Sequence, residues 1–465
     1  RVEDTDDARS SAQSEEAILE GLRWCGITWD EGPDKGGPYG PYRQSERMRS
    51  GLYEAPLQRL VEDGRAYRCF MTDAELLEQR SVAEQRGMPF VLNSPWAAAS
   101  NAAVQEMLDK GAPYTWRFRV PRDRQIHLRD MILGEVTWSG SDVGGDFVIV
   151  RSNGMPLYNF SVVADDAAMR ITHVFRAQEH LMNTPKQLLL YEALGLPVPT
   201  FGHMPLILAP DRSKLSKRYG AVAVGDYQQQ GYLPEALVNY LALLGWNDGT
   251  NKEIFSLGDL VASFDMERMS KVAAIFDREK FNWVNGQHIK LLAQEEAVEL
   301  IGAELVRDGV VKEASGEFVE RACALLKERI AVLPEAGQQL REMLAYDLDA
   351  MLADERFKAY VDSGAIRDTA AIILQAKADG ELDGVGVDGE VFKKLAGRIC
   401  AERGSAKKKA QRRQLIAPMR LCLTSSDHGP ELARFFAMLR HADGNVLCEV
   451  VPFEERLQAL RKKFE

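Results

Sequence analysis

Lys214-Leu215-Ser216-Lys217-Arg218 is the stretch with the clearest chemical meaning in this 465-residue chain. Two lysines three apart, with a serine between them, can set point charges around a chain of phosphates on a loop free to follow it. The alternative is a solvated basic loop. The surroundings favour phosphate. The apolar stretch Pro205–Ala209 reads as a strand leading into the loop and a helical region follows, which suits a nucleotide site at the strand ends of an α/β sheet. Arg176 is a second candidate, because it follows Val174 and Phe175 and a guanidinium is costly to bury there without an anion. The run Gly404–Gln414 gathers Lys407, Lys408, Lys409, Arg412 and Arg413, and by itself reads as a solvated helix face.

These groups need elements to hold them. After Ser14, a fair helix cap, Ile18, Leu22 and Cys25 recur at helical spacing, and Tyr53, Leu57, Leu60 and Val61 mark a second amphipathic helix. Between them lies a Gly/Pro-rich loop, residues 30–47. From about Cys69 to Gly145 the character changes: Tyr114, Trp116, Phe118 and Val120 alternate as a half-buried strand and turn signals follow, which predicts an inserted α+β module. Phe147–Val150 is a continuous apolar run and predicts a strand buried on both faces. From there to about Tyr219, strands mix with helices as in a parallel sheet. Beyond Tyr232 the helical period dominates. Pro234 and Gly245 frame one helix, Phe453, Leu457, Leu460 and Phe464 make a stripe along the last, and the Gly-rich Ala378–Glu390 predicts a linker between two helical subdomains.

The chain is too long for one core and suggests roughly three or four domains. Its 45% apolar and 27% charged residues exclude wholesale disorder. No apolar run approaches the ~20 residues that span a bilayer. With 58 Lys+Arg against 69 Asp+Glu, the net charge of -11 excludes an overall attraction to a polyanion, though not a local basic surface. Cys25, Cys69, Cys323, Cys400, Cys422 and Cys448 are scattered, which excludes a disulfide framework and a zinc ribbon.

KLSKR resembles the second signature of class I aminoacyl-tRNA synthetases, and its company narrows the family. RVEDTD (Arg1–Asp6), GPYRQSER (Gly40–Arg47), PLYNFSVVADD (Pro156–Asp166), THVFRAQEH (Thr172–His180) and GYLPEALVNYLALLGW (Gly231–Trp246) resemble, in order, the bacterial type of glutamyl-tRNA synthetase, less distinctively beyond Gln287. The wording ILAPDRSKLSKR most resembles organellar members from plants and algae. That implies a chloroplast or mitochondrion of a photosynthetic eukaryote, with a bacterial cytoplasm as the alternative.

The resemblance implies a multidomain fold. An α/β Rossmann-type catalytic domain (1–68 and 147–220) is split by an α+β acceptor-stem-binding insertion (69–146). A stem-contact domain (221–293) and an all-α anticodon-binding region in two subdomains (294–380 and 381–465) follow. The implied reaction is ATP-dependent ligation of L-glutamate to the 3′ end of tRNA(Glu) through a glutamyl-adenylate, with Mg2+ accompanying ATP. In that scheme Lys217 neutralises the leaving pyrophosphate and Lys214 assists, with Leu215, Ser216, Arg218 and Glu179 also at the ATP. Glu3 receives the substrate ammonium, Tyr158 and the residues to Val162 wall the amino-acid pocket, and Arg176 pairs with a substrate carboxylate. Taken without the resemblance, Glu3 is an acidic strand end, Tyr158 a core residue of an apolar strand and Glu179 a surface residue at a helix start. Asp6 and Arg9 fall near the tRNA 3′ end, and Lys407, Lys408 and Lys409 gain tRNA backbone contact as a second reading. The implied partners are tRNA(Glu), with tRNA(Gln) as an alternative, glutamate and ATP, for a monomer away from membranes.

Two departures from the family pattern stand out. The first signature, a HIGH-type motif on a strand–helix unit of roughly 30–40 residues, belongs before Arg1, so the chain as given is expected to be an incomplete catalytic unit. Some bacterial members hold zinc in the insertion through a cysteine-rich cluster; Cys69 stands alone in YRCF, so no zinc is expected. Three rival readings meet opposing features in the sequence. Glutaminyl-tRNA synthetase has a β-barrel anticodon region, against the helical period from about Phe318 onward. The short glutamyl-queuosine type lacks that region, against the long stretch beyond Lys280. A non-catalytic tRNA-binding paralogue is opposed by Glu3, Tyr158, Arg176 and KLSKR.

Overall fold

The structure, a computed structural model, describes every residue except 6–10, 89, 217, 219–222, 387 and 404–408, and residues 409–414 by their backbone alone. It divides into two units, one of Arg1–Gly225 with Val238–Asp277, the other of Asp226–Leu237 with Arg278–Glu465. No helix among the described residues is long and apolar enough to cross a membrane.

The strands described in the first unit are β1 (Ala66–Cys69), β2 (Thr115–Phe118), β3 (Gln125–Asp130), β4 (Gly134–Ser139), β5 (Phe147–Val150), β6 (His173–Ala177), β7 (Thr200–Met204), β8 (Ile207–Leu208) and β9 (Ala274–Ile275). The order β1-β2-β5 makes an antiparallel sheet, and β3 and β4 form an antiparallel pair. β6 with β7 and β8 with β9 are parallel pairs. On β3 alternate residues turn inward, burying Ile126, Leu128 and Asp130. The core gathers Leu60, Ile149, Phe160, Val163, Leu190, Tyr191 and Phe201, so that helices Glu54–Glu62, Tyr158–Ala168 and Thr184–Leu194 pack with strands β5 and β7.

Three expectations need correction. Phe147–Val150 is a strand, but it runs antiparallel to β2 and only Ile149 and Val150 are buried. A short apolar run carries no information about pairing direction. PLYNFSVVADD is not a strand: residues Tyr158–Ala168 form a helix, because Phe160, Val163 and Ala164 recur at i, i+3 and i+4 and all bury. In the first helix, Ala12–Trp24, the cap is Ser11 rather than Ser14, its Oγ accepting the Ser14 N–H. The buried positions are accordingly Leu19, Gly21 and Cys25, and Ile18 is 64% exposed.

The second unit is helical, with no strand among its described residues. Helices include Glu317–Leu326, Glu335–Leu344, Ala365–Ala378, Val391–Arg403, Lys409–Thr424, Leu432–Leu439 and Phe453–Phe464. The last buries Leu457 and Leu460 from its stripe, together with Arg456, which is fully buried. The Arg456 guanidinium meets no carboxylate among the described residues. Nε donates to the Val451 carbonyl at 2.8 Å, Nη1 to that of Leu423 at 2.8 Å and Nη2 to that of Leu344 at 3.4 Å. Leu344 and Leu423 end or nearly end their helices, so the cation sits where two helix dipoles are negative. The rings of Tyr346 and Phe435 lie 4.5 and 5.4 Å from it, and burial pushes the guanidinium down to about 10, still charged at neutral pH.

Candidate functional site

Arg176 leaves the end of β6 with its guanidinium over the Phe201 ring of β7, 5.2 Å from the centroid. Nε donates to His203 Nε2 at 3.1 Å, Nη1 to the Tyr158 hydroxyl at 3.3 Å and Nη2 to Thr184 Oγ1 at 2.7 Å. None of these partners is a carboxylate, and among the described residues Arg176 makes no ion pair. A guanidinium has five N–H groups, so one donor on each Nη is left for something else. Tyr158 opens its helix and also lies 3.4 Å from His180 Nδ1. Burial pushes its phenol up; the charge of Arg176 works against that and the charge of Glu3 with it. Glu3, Tyr158 and Arg176 therefore share one electrostatic neighbourhood. Val162, one helical turn after Tyr158, is buried in the apolar core.

Glu3 is held there by backbone and charge. Val2 N–H donates to the Tyr42 carbonyl at 2.8 Å and Gln44 N–H to the Val2 carbonyl at 3.0 Å. Arg1 spans Glu3 Oε1 at 3.1 Å and Asp166 Oδ1 at 2.6 Å. Asp4 accepts from Ser45 N and Oγ. Glu3, Arg1, Asp4, Glu15, Arg43 and Arg49 line an open cleft of about 680 Å³.

The KLSKR loop begins with a tight reversal after β8, the Ala209 N–H donating to the Ser213 carbonyl at 2.8 Å. Lys214 Nζ then reaches Glu179 Oε2 at 2.5 Å, and that bond holds the Glu179 carboxyl below its usual value. Glu179 lies in the 3-10 turn Gln178–Asn183, which follows Arg176 after the single residue Ala177 and carries His180. One short segment thus presents Arg176 toward Tyr158 and Glu179 toward Lys214. Leu215 donates its N–H to the Ile207 carbonyl at 3.3 Å, Ser216 is half-buried and Arg218 exposed. Asp6, Arg9, Lys217, Lys407 and Lys408 lie outside the described residues, and Lys409 opens the helix Lys409–Thr424.

Sequence reasoning does not single out Arg1, Asp130, Thr184 or His203. The available signal was His203, a polar residue between the apolar Phe201 and Ile207. It is fully buried, with Nδ1 2.6 Å from Asp130 Oδ2.

The model of the family described as class I tRNA synthetases (E and Q), catalytic domain, matches residues 1–283. A glutamate–tRNA ligase of Carboxydothermus hydrogenoformans is 42% identical over 454 residues, covering 95% of this chain and 90% of that protein. The chain belongs to the glutamate–tRNA ligase family. Another member, from Natranaerobius thermophilus, is 39% identical over 443 residues, covering 94% of this chain and 88% of its own. The crystal structure of a glutamate–tRNA synthetase from Elizabethkingia anophelis superposes with a TM-score of 0.79 at 30% identity, over 100% of this chain and 92% of that one. As in that family, the catalytic domain is Rossmann-like and the C-terminal region helical, and the protein is an enzyme of the ligase class. These relatives are bacterial, and they lend no support to the organellar reading of ILAPDRSKLSKR.

Proposed function

We propose that the protein joins L-glutamate to the 3′ end of tRNA(Glu) by way of a glutamyl-adenylate. An oxygen of glutamate's α-carboxylate attacks the α-phosphorus of ATP, the bond to the β-phosphate oxygen breaks, and pyrophosphate leaves. A hydroxyl of the terminal ribose then attacks the carbonyl carbon and AMP leaves. Such in-line displacement asks the protein chiefly for positioning and for charge. Arg176 takes a substrate carboxylate, Glu3 the ammonium, and Tyr158 closes the pocket between them. Lys214 and Lys217 meet the charge that gathers on the leaving pyrophosphate, with Leu215, Ser216 and Arg218 shaping the loop and Mg2+ arriving with ATP. The Lys214–Glu179 pair is exposed, and exposed pairs are weak. A phosphate chain can therefore take over the ammonium at little cost.

The observation that carries this reading is the state of Arg176: a cation bound only by neutral partners, with two donors left over. Arg176 is half-buried, and its two spare donors suit the paired oxygens of a carboxylate. Support for RNA binding comes from the helical unit. Arg329 and Arg420 line one small cavity with Thr424, Ser426, His428 and Glu342. Neither arginine makes an ion pair among the described residues, and Arg329 Nε is buried without a hydrogen-bond partner. Burial and the charge of Arg329 push the Arg420 guanidinium down. Two such cations suit a polyanion. The bacterial sources of the named relatives favour a bacterial cytoplasm over an organelle.

Glutamate titration by calorimetry tests the assignment. Arg176→Ala should abolish measurable binding while leaving the melting temperature nearly unchanged. Binding within a few-fold of wild type would make Arg176 a structural residue.

A further inference from the structure

We propose that His203 and Asp130 are positioning residues for Arg176, fixing the direction in which its guanidinium meets the substrate carboxylate. The inference rests on the reading of Arg176 just given. A guanidinium can only donate, so the 3.1 Å contact from Arg176 Nε requires a lone pair on His203 Nε2. The imidazole is then neutral, with its proton on Nδ1, donated to Asp130 Oδ2 at 2.6 Å. Thr184 Oγ1, which accepts from Arg176 Nη2, lies 3.0 Å from the same Nε2 and can donate to it. The guanidinium is thereby held at two points along one edge.

Asp130 is itself fixed. Its Oδ1 accepts the N–H groups of Ile132 and Leu133, each at 2.9 Å, and the His203 N–H lies 3.2 Å from both oxygens. Burial alone would raise this carboxyl, but those bonds outweigh it and hold the group below its usual value. The next residue, Met131, donates its N–H to the Phe201 carbonyl at 2.9 Å, so the end of β3 is docked on β7. The path therefore runs from β3 through β7 to the end of β6. Burial pushes the His203 imidazole down, the charge of Arg176 adding to the effect and Asp130 opposing it, which keeps the accepting form present at neutral pH. The orientation of Arg176 depends on a carboxylate that never reaches the substrate.

The isosteric Asp130→Asn separates positioning from packing. Asn can keep an oxygen toward the N–H groups of Ile132 and Leu133, but then turns its NH₂ toward His203 Nδ1. The imidazole proton must move to Nε2, where it faces the Arg176 donor. Glutamate affinity by calorimetry should fall roughly tenfold or more, and in tRNA charging the glutamate KM should rise far more than kcat falls, with the melting temperature little changed. His203→Gln places an amide oxygen near the position of Nε2, so it should keep most of the affinity, and adding Asp130→Asn to it should then have little further effect. Three outcomes would overturn the proposal: Asp130→Asn binding glutamate as wild type does, losing affinity only in proportion to lost folding, or harming the His203→Gln background as much as the wild type. Arg176→Ala serves as the control. If it binds glutamate normally, or if the wild type binds none, the reading of Arg176 fails rather than the relay alone.

Discussion

Arg47 Nε stands 2.6 Å from Asp165 Oδ1, and the two side chains are 2% and 0% exposed. The same carboxylate accepts from Gln44 Nε2 at 2.9 Å and from the Tyr53 hydroxyl at 2.9 Å, with Arg1 Nη1 at 3.7 Å. Arg47 also donates to the Pro41 carbonyl at 3.0 Å. The pair thus ties helix Tyr158–Ala168 to the loop on which Val2 and Glu3 rest. Removing one partner leaves the other charge buried and alone, which costs about 3–5 kcal/mol. Asp165→Ala should therefore lower the melting temperature sharply and weaken glutamate binding with it, and Asp165→Asn should do less. An unchanged melting curve for Asp165→Ala would contradict this.

Lys217→Ala should lower the turnover of glutamate activation far more than glutamate affinity, by about 2–4 kcal/mol in the barrier, because its charge acts on charge that develops during displacement. Lys214→Ala should act in the same direction, and with its exposed partner Glu179 should not change the melting temperature. Single-turnover activation that is unchanged while the glutamate KM rises would rule this out.

Replacing Lys407, Lys408 and Lys409 together by Ala should weaken tRNA binding and flatten its dependence on salt, since each phosphate contact contributes to the slope of log K against log salt. The same slope in mutant and wild type would return this run to a solvated helix face.

Stability should decline on the acid side before the carboxylates titrate. Burial holds both His203 and His288 below the ordinary value of 6.5, opposed by Asp130 in the first case and Glu235 in the second. The unfolded chain therefore binds these protons at a higher pH than the folded one, and unfolding is favoured as pH falls below 6.5. Each histidine can contribute a slope of up to about 1.4 kcal/mol per pH unit until its folded form also protonates. Urea unfolding at pH 7.5, 6.5 and 5.5 should show the loss, and His288→Gln should reduce it. A stability flat across that range would refute the assignment.

The helical half was legible because a 3.6-residue period is local: Leu457 and Leu460 declare their burial within one helix. Arg176 was legible for a similar reason, as a charge after two apolar neighbours. Tyr158 was given the right neighbourhood but the wrong element, since a short apolar stretch fits strand or helix until its buried positions are known. β5 kept its bounds but not its expected burial on both faces, because what covers a strand depends on elements distant in the chain. The Asp130–His203 bond joins residues 73 apart, and nothing near either one announces the other. What the sequence conveyed was which atoms carry charge; it did not convey which neutral atoms aim that charge.

Arg456 has a consequence for how the helical unit comes apart. Its three carbonyl partners belong to stretches around 344, 423 and 451, which meet only in the finished bundle. If the last helix lifts away, two helix ends lose their donor together and the cation keeps only the Val451 carbonyl, five residues before it in its own segment. Opening that helix alone therefore strips two helix ends and a buried cation of their mutual bonds in one step. Amide protons in Glu335–Leu344, Lys409–Thr424 and Phe453–Phe464 should exchange with solvent as one cooperative group, not in a graded order from the chain end inward.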